Sequence, residues 1–283
     1  MKLILYFILI LVSLTSLSQN KLLDQLNQKM PEPSTDYQPA FKAMKISNIQ
    51  STKIASKGEL YMYVSHRFGT VKDGISTFYG LDKANTKIEL VYGLVPKIQI
   101  GFSRESLRQT YAGSVKYLVK KQNEIFPINI AIYTTVNLNS EINKELYPLM
   151  EFYDRLSYAS QILLSKRLTN LLSVQFNSSY IRQNLVLESF QSHNQLACGA
   201  GGRLKINNRL SFNVDYIYNL NRHIDSKYNN PLSVGIDIET GGHVFQLLFS
   251  NAQSTNEPGF ISNAEGDWLK ADVFFGFNIV RVF

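Results

Sequence analysis

The chain has 283 residues, 45% of them hydrophobic and only 18% charged, with a formal net charge of +7. That charge content is below the usual soluble-protein average, and aromatics reach 12%, as 16 Tyr and 17 Phe against one Trp. No dense basic helix and no aromatic-plus-basic ribonucleoprotein motif accompanies the positive charge, which sets nucleic acid aside and leaves an anionic surface or solute.

Met1-Lys2 precedes ten apolar residues, from Leu3 to Val12, and then Ser-Leu-Thr-Ser-Leu-Ser-Gln19. A basic start, a short apolar core and small residues before a cut site describe a secretory signal peptide, residues 1–18, with cleavage near Ser18 or Gln19. The single cysteine, Cys198, lies far from that site, so a lipoprotein anchor and an internal disulfide are both excluded. No later stretch is long and apolar enough for a helical membrane span. Two destinations remain, a soluble exported β protein or an outer-membrane barrel of a Gram-negative bacterium.

Residues 19–57 form a periplasmic lead-in or plug segment. Asn20 to Met30 has Leu22, Leu23, Leu26 and Met30 on one side of an amphipathic helix, and Pro31-Glu-Pro breaks it. Phe41 to Ser51 carries strand character with poor alternation.

From residue 58 to 283 alternation takes over. Leu60, Met62 and Val64 alternate with Tyr61, Tyr63 and Ser65; Leu210, Phe212, Val214 and Tyr216 alternate with Ser211, Asn213 and Asp215. A period of two marks strands with one apolar face. Twelve strands are expected, at about 58–67, 86–95, 97–104, 109–121, 126–137, 152–166, 170–183, 193–206, 209–220, 231–240, 242–252 and 269–282. A soluble sandwich alternates too. Short turns near 95–97, 167–169, 207–208 and 240–242, set against longer polar links, give the rhythm of a barrel with short periplasmic turns and long outer loops. The reading is therefore all-β, an antiparallel transmembrane β-barrel of about 12 strands behind a short N-terminal periplasmic segment. Its last strand closes against the first, and Arg281 stands out on an otherwise apolar face.

Several stretches resemble a family of outer-membrane β-barrel proteins of the Bacteroidota type, classed as a domain of unknown function: His66-Arg67-Phe68-Gly69, Phe78-Tyr79-Gly80-Leu81-Asp82, Tyr92-Gly93-Leu94, Ile98 to Arg104, Tyr111 to Gln122 and Phe275 to Phe283. The resemblance covers most of the chain after about Phe41. It implies the fold and the outer membrane, and it supplies no activity. Arg281 departs from the usual apolar or aromatic barrel ending.

The most suggestive polar group is His66-Arg67 with Asp82, either a ligand- or ion-binding loop over the pore or an Arg–Asp pair with glycine turns fixing the loop. The expected lumen carries Lys116, Lys120, Arg155 and Arg203 with Glu59, Asp215, Asp237, Glu239 and Asp272. Mixed charges of this kind either line an aqueous path or cross-link a plugged interior. His223 and Asp225 lack further ligands at metal-binding spacing. No nucleophile elbow appears, and Cys198-Gly-Ala-Gly-Gly202 lacks a phosphate-loop spacing, its glycines reading as room for curvature or a bulky neighbour. No catalytic, cofactor or metal residue is therefore assigned.

The functional expectation is a passive channel or solute-binding barrel with a polar lumen. The alternatives are an accessory barrel that docks a partner and, less favoured, a barrel enzyme acting on lipid. Expected partners are outer-membrane lipid, the barrel assembly machinery through the last strand, and a small solute or a periplasmic protein.

Overall fold

Twelve strands close on themselves in the computed structural model, which describes residues 39–142, 145, 147–240 and 243–283. The expected signal peptide, residues 1–18, and the expected helix from Asn20 to Met30 lie outside the described residues. The strands are β1 (Leu60–Thr70), β2 (Ala84–Val95), β3 (Ile98–Glu105), β4 (Thr110–Lys120), β5 (Asn129–Leu138), β6 (Leu156–Arg167), β7 (Leu172–Gln183), β8 (Asn194–Lys205), β9 (Leu210–Asn219), β10 (Leu232–Thr240), β11 (His243–Ser250) and β12 (Phe274–Val282). Each pairs antiparallel with its sequence neighbours, and β12 returns to β1 in the register Val64 opposite Ile279. No helix among the described residues is long and apolar enough to cross a membrane.

Alternation decides which face each side chain takes. Leu90, Phe102, Val115, Ile162, Phe176, Phe212 and Ile236 point outward and are exposed, while Glu89, Gln99, Lys116, Gln161, Gln175, Asn213 and Asp237 point inward and are buried. An apolar outside with a polar inside is the reverse of a soluble domain and suits lipid. Outward charges gather at strand ends: Arg104, Lys166, Arg182 and Arg281. The Arg281 guanidinium lies 4.7 Å over the Phe283 ring, which keeps its charge at the rim.

The turn rhythm holds with two exceptions. Residues 106–109 make a tight link where a long loop was expected, because β3 extends to Glu105. Residues 121–128, at the other end, are longer than a hairpin turn. The largest departure lies in residues 251–273, where the sequence predicts a long polar outer link at Ala252–Asp267 and a strand from 269. The strand starts only at Phe274, and the loop folds inward with a short helix, α1 (Glu257–Ser262), all of whose residues are buried.

Candidate functional site

The lumen is occupied from both ends. From the short-turn end enters a hairpin insert, residues 39–57, which doubles back at residues 46–49. Ile46 N–H donates to Ile49 O, Ser51 N–H to Met44 O, and Lys45 bridges Gln50. From the long-loop end enters the loop insert, residues 251–273. Phe41, Ile46 and Ile49 of the first share one apolar cluster with Phe260 and Ile261 of the second and with inward Ala159, Ile181, Ala197 and Ile217 of the wall.

The hairpin makes few backbone partners of its own, so its polar groups must find wall side chains or remain unpaired at a cost. Asp215 accepts from Ser47 N–H and Asn48 N–H, both at 2.9 Å. Gln246 donates to Ile46 O at 2.8 Å, and Asn278 to Ser47 O at 3.0 Å. Gln175 answers twice, donating to Gln50 O at 2.7 Å and accepting from Thr52 N–H at 3.1 Å. Lys116 extends its ammonium into a ring of hairpin carbonyls, Ser51 O at 3.0 Å, Lys53 O at 3.3 Å and Met44 O at 3.4 Å. Arg67 donates to Asn48 Oδ1 at 2.8 Å and to Asn278 Oδ1 at 3.1 Å.

Ion pairs gather in two places. Lys45 of the hairpin pairs with Glu89 at 2.9 Å, with Lys87 3.6 Å from the same carboxylate. At the short-turn end Glu239 holds both Lys42 and Arg203, and Arg203 Nε lies 3.7 Å from Asp237.

The loop insert is tied down with equal care. Glu105 accepts from Thr255 N–H at 2.7 Å and from Asn85 Nδ2 at 2.6 Å, and Asn256 also donates to it. Asn256 caps α1 by accepting from Gly259 N–H at 2.8 Å. Arg222 donates to Ile261 O and Ser262 O at the other end of α1.

The structure separates several residues that the sequence grouped. His66 and Arg67 are neighbours in β1, so they face opposite ways. Arg67 is buried in the lumen, whereas His66 turns outward, stacked on Phe277 at 5.1 Å with its Nδ1 2.8 Å from Thr86 Oγ1. Asp82 is exposed in the β1–β2 loop and pairs with neither, so the proposed Arg–Asp cluster does not form. Lys120 is exposed rather than luminal, because the β4–β5 register slips between Leu118 and Lys120 and aims it over the Phe126 ring. Asp272 belongs to the loop insert, bridged to Asp267, and not to a strand. Arg155 stands at the long-loop rim in a 3₁₀ turn, over the Phe152 ring at 5.6 Å. Glu59 sits just before β1, accepting from Ser56 N–H at 2.9 Å. Lys116, Arg203, Asp215, Asp237 and Glu239 line the interior, where they bind the hairpin or one another.

Sequence reasoning passed over the neutral lining, Gln99, Gln175, Gln246 and Asn278, and with it Glu105 and Glu257. The four amides sit on the polar parity of their strands, which was the available signal. Among the described residues no group of three His, Cys, Asp or Glu side chains could hold a metal ion.

A closed antiparallel barrel with an apolar outer band and a polar, filled interior is a membrane-bound β-barrel of porin-like build. The chain belongs to the membrane bound beta barrel domain family (DUF5777), which matches residues 41–283. Among solved structures, the NanC porin is 11% identical with a TM-score of 0.50, covering 79% of this chain and 98% of that one. The KdgM porin is 8% identical at a TM-score of 0.49, covering 80% and 99%. An outer membrane channel from Pseudomonas putida F1 is 13% identical at 0.47, covering 82% and 97%. At 11% identity the likeness to the NanC porin is one of fold. No curated protein matches the sequence.

Proposed function

We propose that this protein is an outer-membrane channel of porin build, held closed in the described state by its two inserts. It passes small polar solutes when the hairpin insert yields. One observation carries the reading: the wall binds the hairpin through Gln, Asn, Ser, Asp and Lys side chains, which water or a polar solute satisfies equally well. An accessory or structural barrel has no need of a polar lining, and an interior of apolar side chains would fill it at less cost.

The closed state is strongly favoured. Roughly ten hydrogen bonds at about 1 kcal/mol net each would leave the withdrawn hairpin near one molecule in 10⁷. Passage therefore needs a partial shift of the hairpin, or a force from a periplasmic partner, rather than spontaneous withdrawal.

In this reading the short-turn end faces the periplasm and the long-loop end the exterior. Residues 1–18 direct export, residues 19–57 form the plug segment, and residues 58–283 form the barrel, with the last strand engaging the barrel assembly machinery. The chain is not an enzyme in this reading.

Planar-bilayer conductance tests the proposal. The full chain should carry little current, and a chain lacking residues 39–57, which takes from the loop insert its partners Phe41, Ile46, Ile49 and Gln50 and so frees it as well, should carry steady current of a narrow pore. A second variant, Asp215→Ala with Lys116→Met, keeps the hairpin but weakens its hold, and should show intermittent openings. A heat-dependent shift of gel mobility establishes that each variant is folded. Silence from all three folded proteins would overturn the channel reading.

A further inference from the structure

Above the loop insert, at the long-loop end, lies a cleft of about 90 Å³. That is room for several waters, since one water needs about 10–15 Å³. Its floor is the loop insert, with Pro258, Gly259 and Asn263; its walls are the tight β3–β4 link and the rim turn before β6.

Four charged side chains line it: Arg108, Arg155, Asp154 and Glu265. Their formal charges cancel, so the cleft offers no net attraction to an ion. They are also unspent. Arg108 and Glu265 make no side-chain hydrogen bond or ion pair among the described residues, and Arg155 makes only its contact with the Phe152 ring. Asp154 accepts a single bond, from Glu151 N–H at 2.8 Å. Asn263, only 7% exposed, has its Oδ1 engaged by Gln183 while its Nδ2 has no partner. The backbone holds Arg108 in place at a strain, with φ of 53° there and 45° at Gln109. Left-handed values at two successive non-glycine residues are the kind of cost that ligand clamps carry.

We propose that this cleft binds a neutral, hydroxyl-rich solute of about monosaccharide size. A sugar ring supplies alternating donors and acceptors that match the planar guanidinium and carboxylate groups. Its C–H faces suit Leu107, Leu187 and Pro258, which share the cleft. A carboxylate or ammonium solute would meet one pair of charges well and be repelled by the other. The inference deepens the channel reading, placing the solute directly on the loop insert, although binding itself is measurable whether or not current flows.

The test is equilibrium binding to the folded full chain in a detergent without a sugar headgroup, by calorimetry and saturation-transfer NMR. The probes are glucose and maltose, with galacturonate and glucosamine as charged comparators. Glucose or maltose should saturate, with both charged sugars at least fivefold weaker. Arg108→Ala and Glu265→Ala should each weaken the neutral sugar at least fivefold. They should also shift the preference in opposite directions, towards glucosamine in Arg108→Ala and towards galacturonate in Glu265→Ala. Both side chains are free of structural bonds, so the variants should fold. No saturation by either neutral sugar, or variants that leave the charge preference unmoved, would overturn the site. Current without sugar binding removes the site and leaves the channel, and sugar binding without current does the reverse.

Discussion

The side-chain amide of Gln50 donates to Glu257 Oε1 at 2.9 Å, and this bond joins the insert from one end of the barrel to the insert from the other. Both groups are buried, and the second oxygen of Glu257 has no hydrogen bond. The two inserts are therefore expected to act as one plug. Gln50→Ala should cost about 1.5–3 kcal/mol, the range for a hydrogen bond to a charged group. The measurement is the temperature at which gel mobility shifts. Adding Glu257→Ala should then cost less than it does alone, since contacting residues are coupled. Strict additivity would show that the inserts are independent.

Asp215 fixes the tip of the hairpin through the Ser47 and Asn48 N–H groups, with Ile49 N–H more distant at 3.5 Å. Asp215→Ala leaves both donors buried without an acceptor, at about 1–3 kcal/mol each. The expected signature is local. Amide exchange at Ser47 and Asn48 should accelerate by at least tenfold, while amides of β6 and β7 keep their protection. Uniform acceleration across the barrel would place Asp215 in the global fold instead.

Much of the fold was legible because a barrel wall obeys one rule: side chains two apart share a face. The parity of Leu60, Met62 and Val64 against Tyr61, Tyr63 and Ser65 put the right residues towards lipid, and twelve strands followed in order. Where the rule is interrupted the reading failed. At Lys120 a register slip, invisible in the sequence, reversed the face. At Ala271, Asp272 and Val273 an alternating pattern continues into residues that are loop: Ala271 takes a φ of 55° as the cap of the Trp268–Lys270 turn, and Asp272 bridges back to Asp267. The inserts were the least legible part. Their contacts join residues such as Asn48 and Ser250, which are far apart in sequence and linked only by the closure of the barrel. The glycines after Cys198 read as room for curvature or a bulky neighbour. A Cβ at Gly201 would lie 2.7 Å from Ile46 Cδ1 and 2.9 Å from Ile49 Cδ1, so the neighbour is the hairpin tip.

Ile236 lies midway along β10, pointing outward between Phe212 and Leu247 of the adjoining strands. An arginine there would meet the hydrocarbon near its centre, and Ile236→Arg should cost about 2–4 kcal/mol in a bilayer. Refolding into vesicles, followed by denaturant titration, measures it. The same substitution should matter much less in detergent micelles, where water reaches the side chain. Equal costs in both would argue that this face does not meet lipid.

At the rim, Asp267 accepts from the Lys270 ammonium at 3.2 Å and from Leu269 N–H at 2.9 Å. The bond to Lys270, followed by that to Leu269, holds its carboxyl below the ordinary carboxylate range. A depressed acid stabilises the fold above its unfolded value, about 3.9, and loses that contribution as pH falls through the folded value. The 3₁₀ turn Trp268–Lys270 should therefore stay capped at neutral pH and loosen only in acid. Carboxyl-carbon NMR on the full chain should find Asp267 titrating below typical aspartates, and Lys270→Met should raise it. An unchanged titration in Lys270→Met would remove Lys270 as the cause.

Gly93 marks where the hairpin insert leaves the lumen and becomes the wall. A Cβ there would lie 1.8 Å from the carbonyl oxygen of Ser56, and backbone cannot swing aside as a side chain tip can. The same stretch is pinned by Gly58 N–H to Gly93 O at 2.8 Å and Gly93 N–H to Glu59 O at 3.0 Å. Gly93→Ala must therefore push residues 55–58 away from β2, at about 1–3 kcal/mol by the usual cost of overpacking. The displacement breaks the bond from Ala55 N–H to Gln99, now 2.8 Å, and loosens the hairpin at its root. Added protease should cut the variant between residues 52 and 58 while the native chain resists, and the twelve strands should remain folded by gel mobility. If the variant resists as the native chain does, the hairpin is held by its tip alone and its root is free to move.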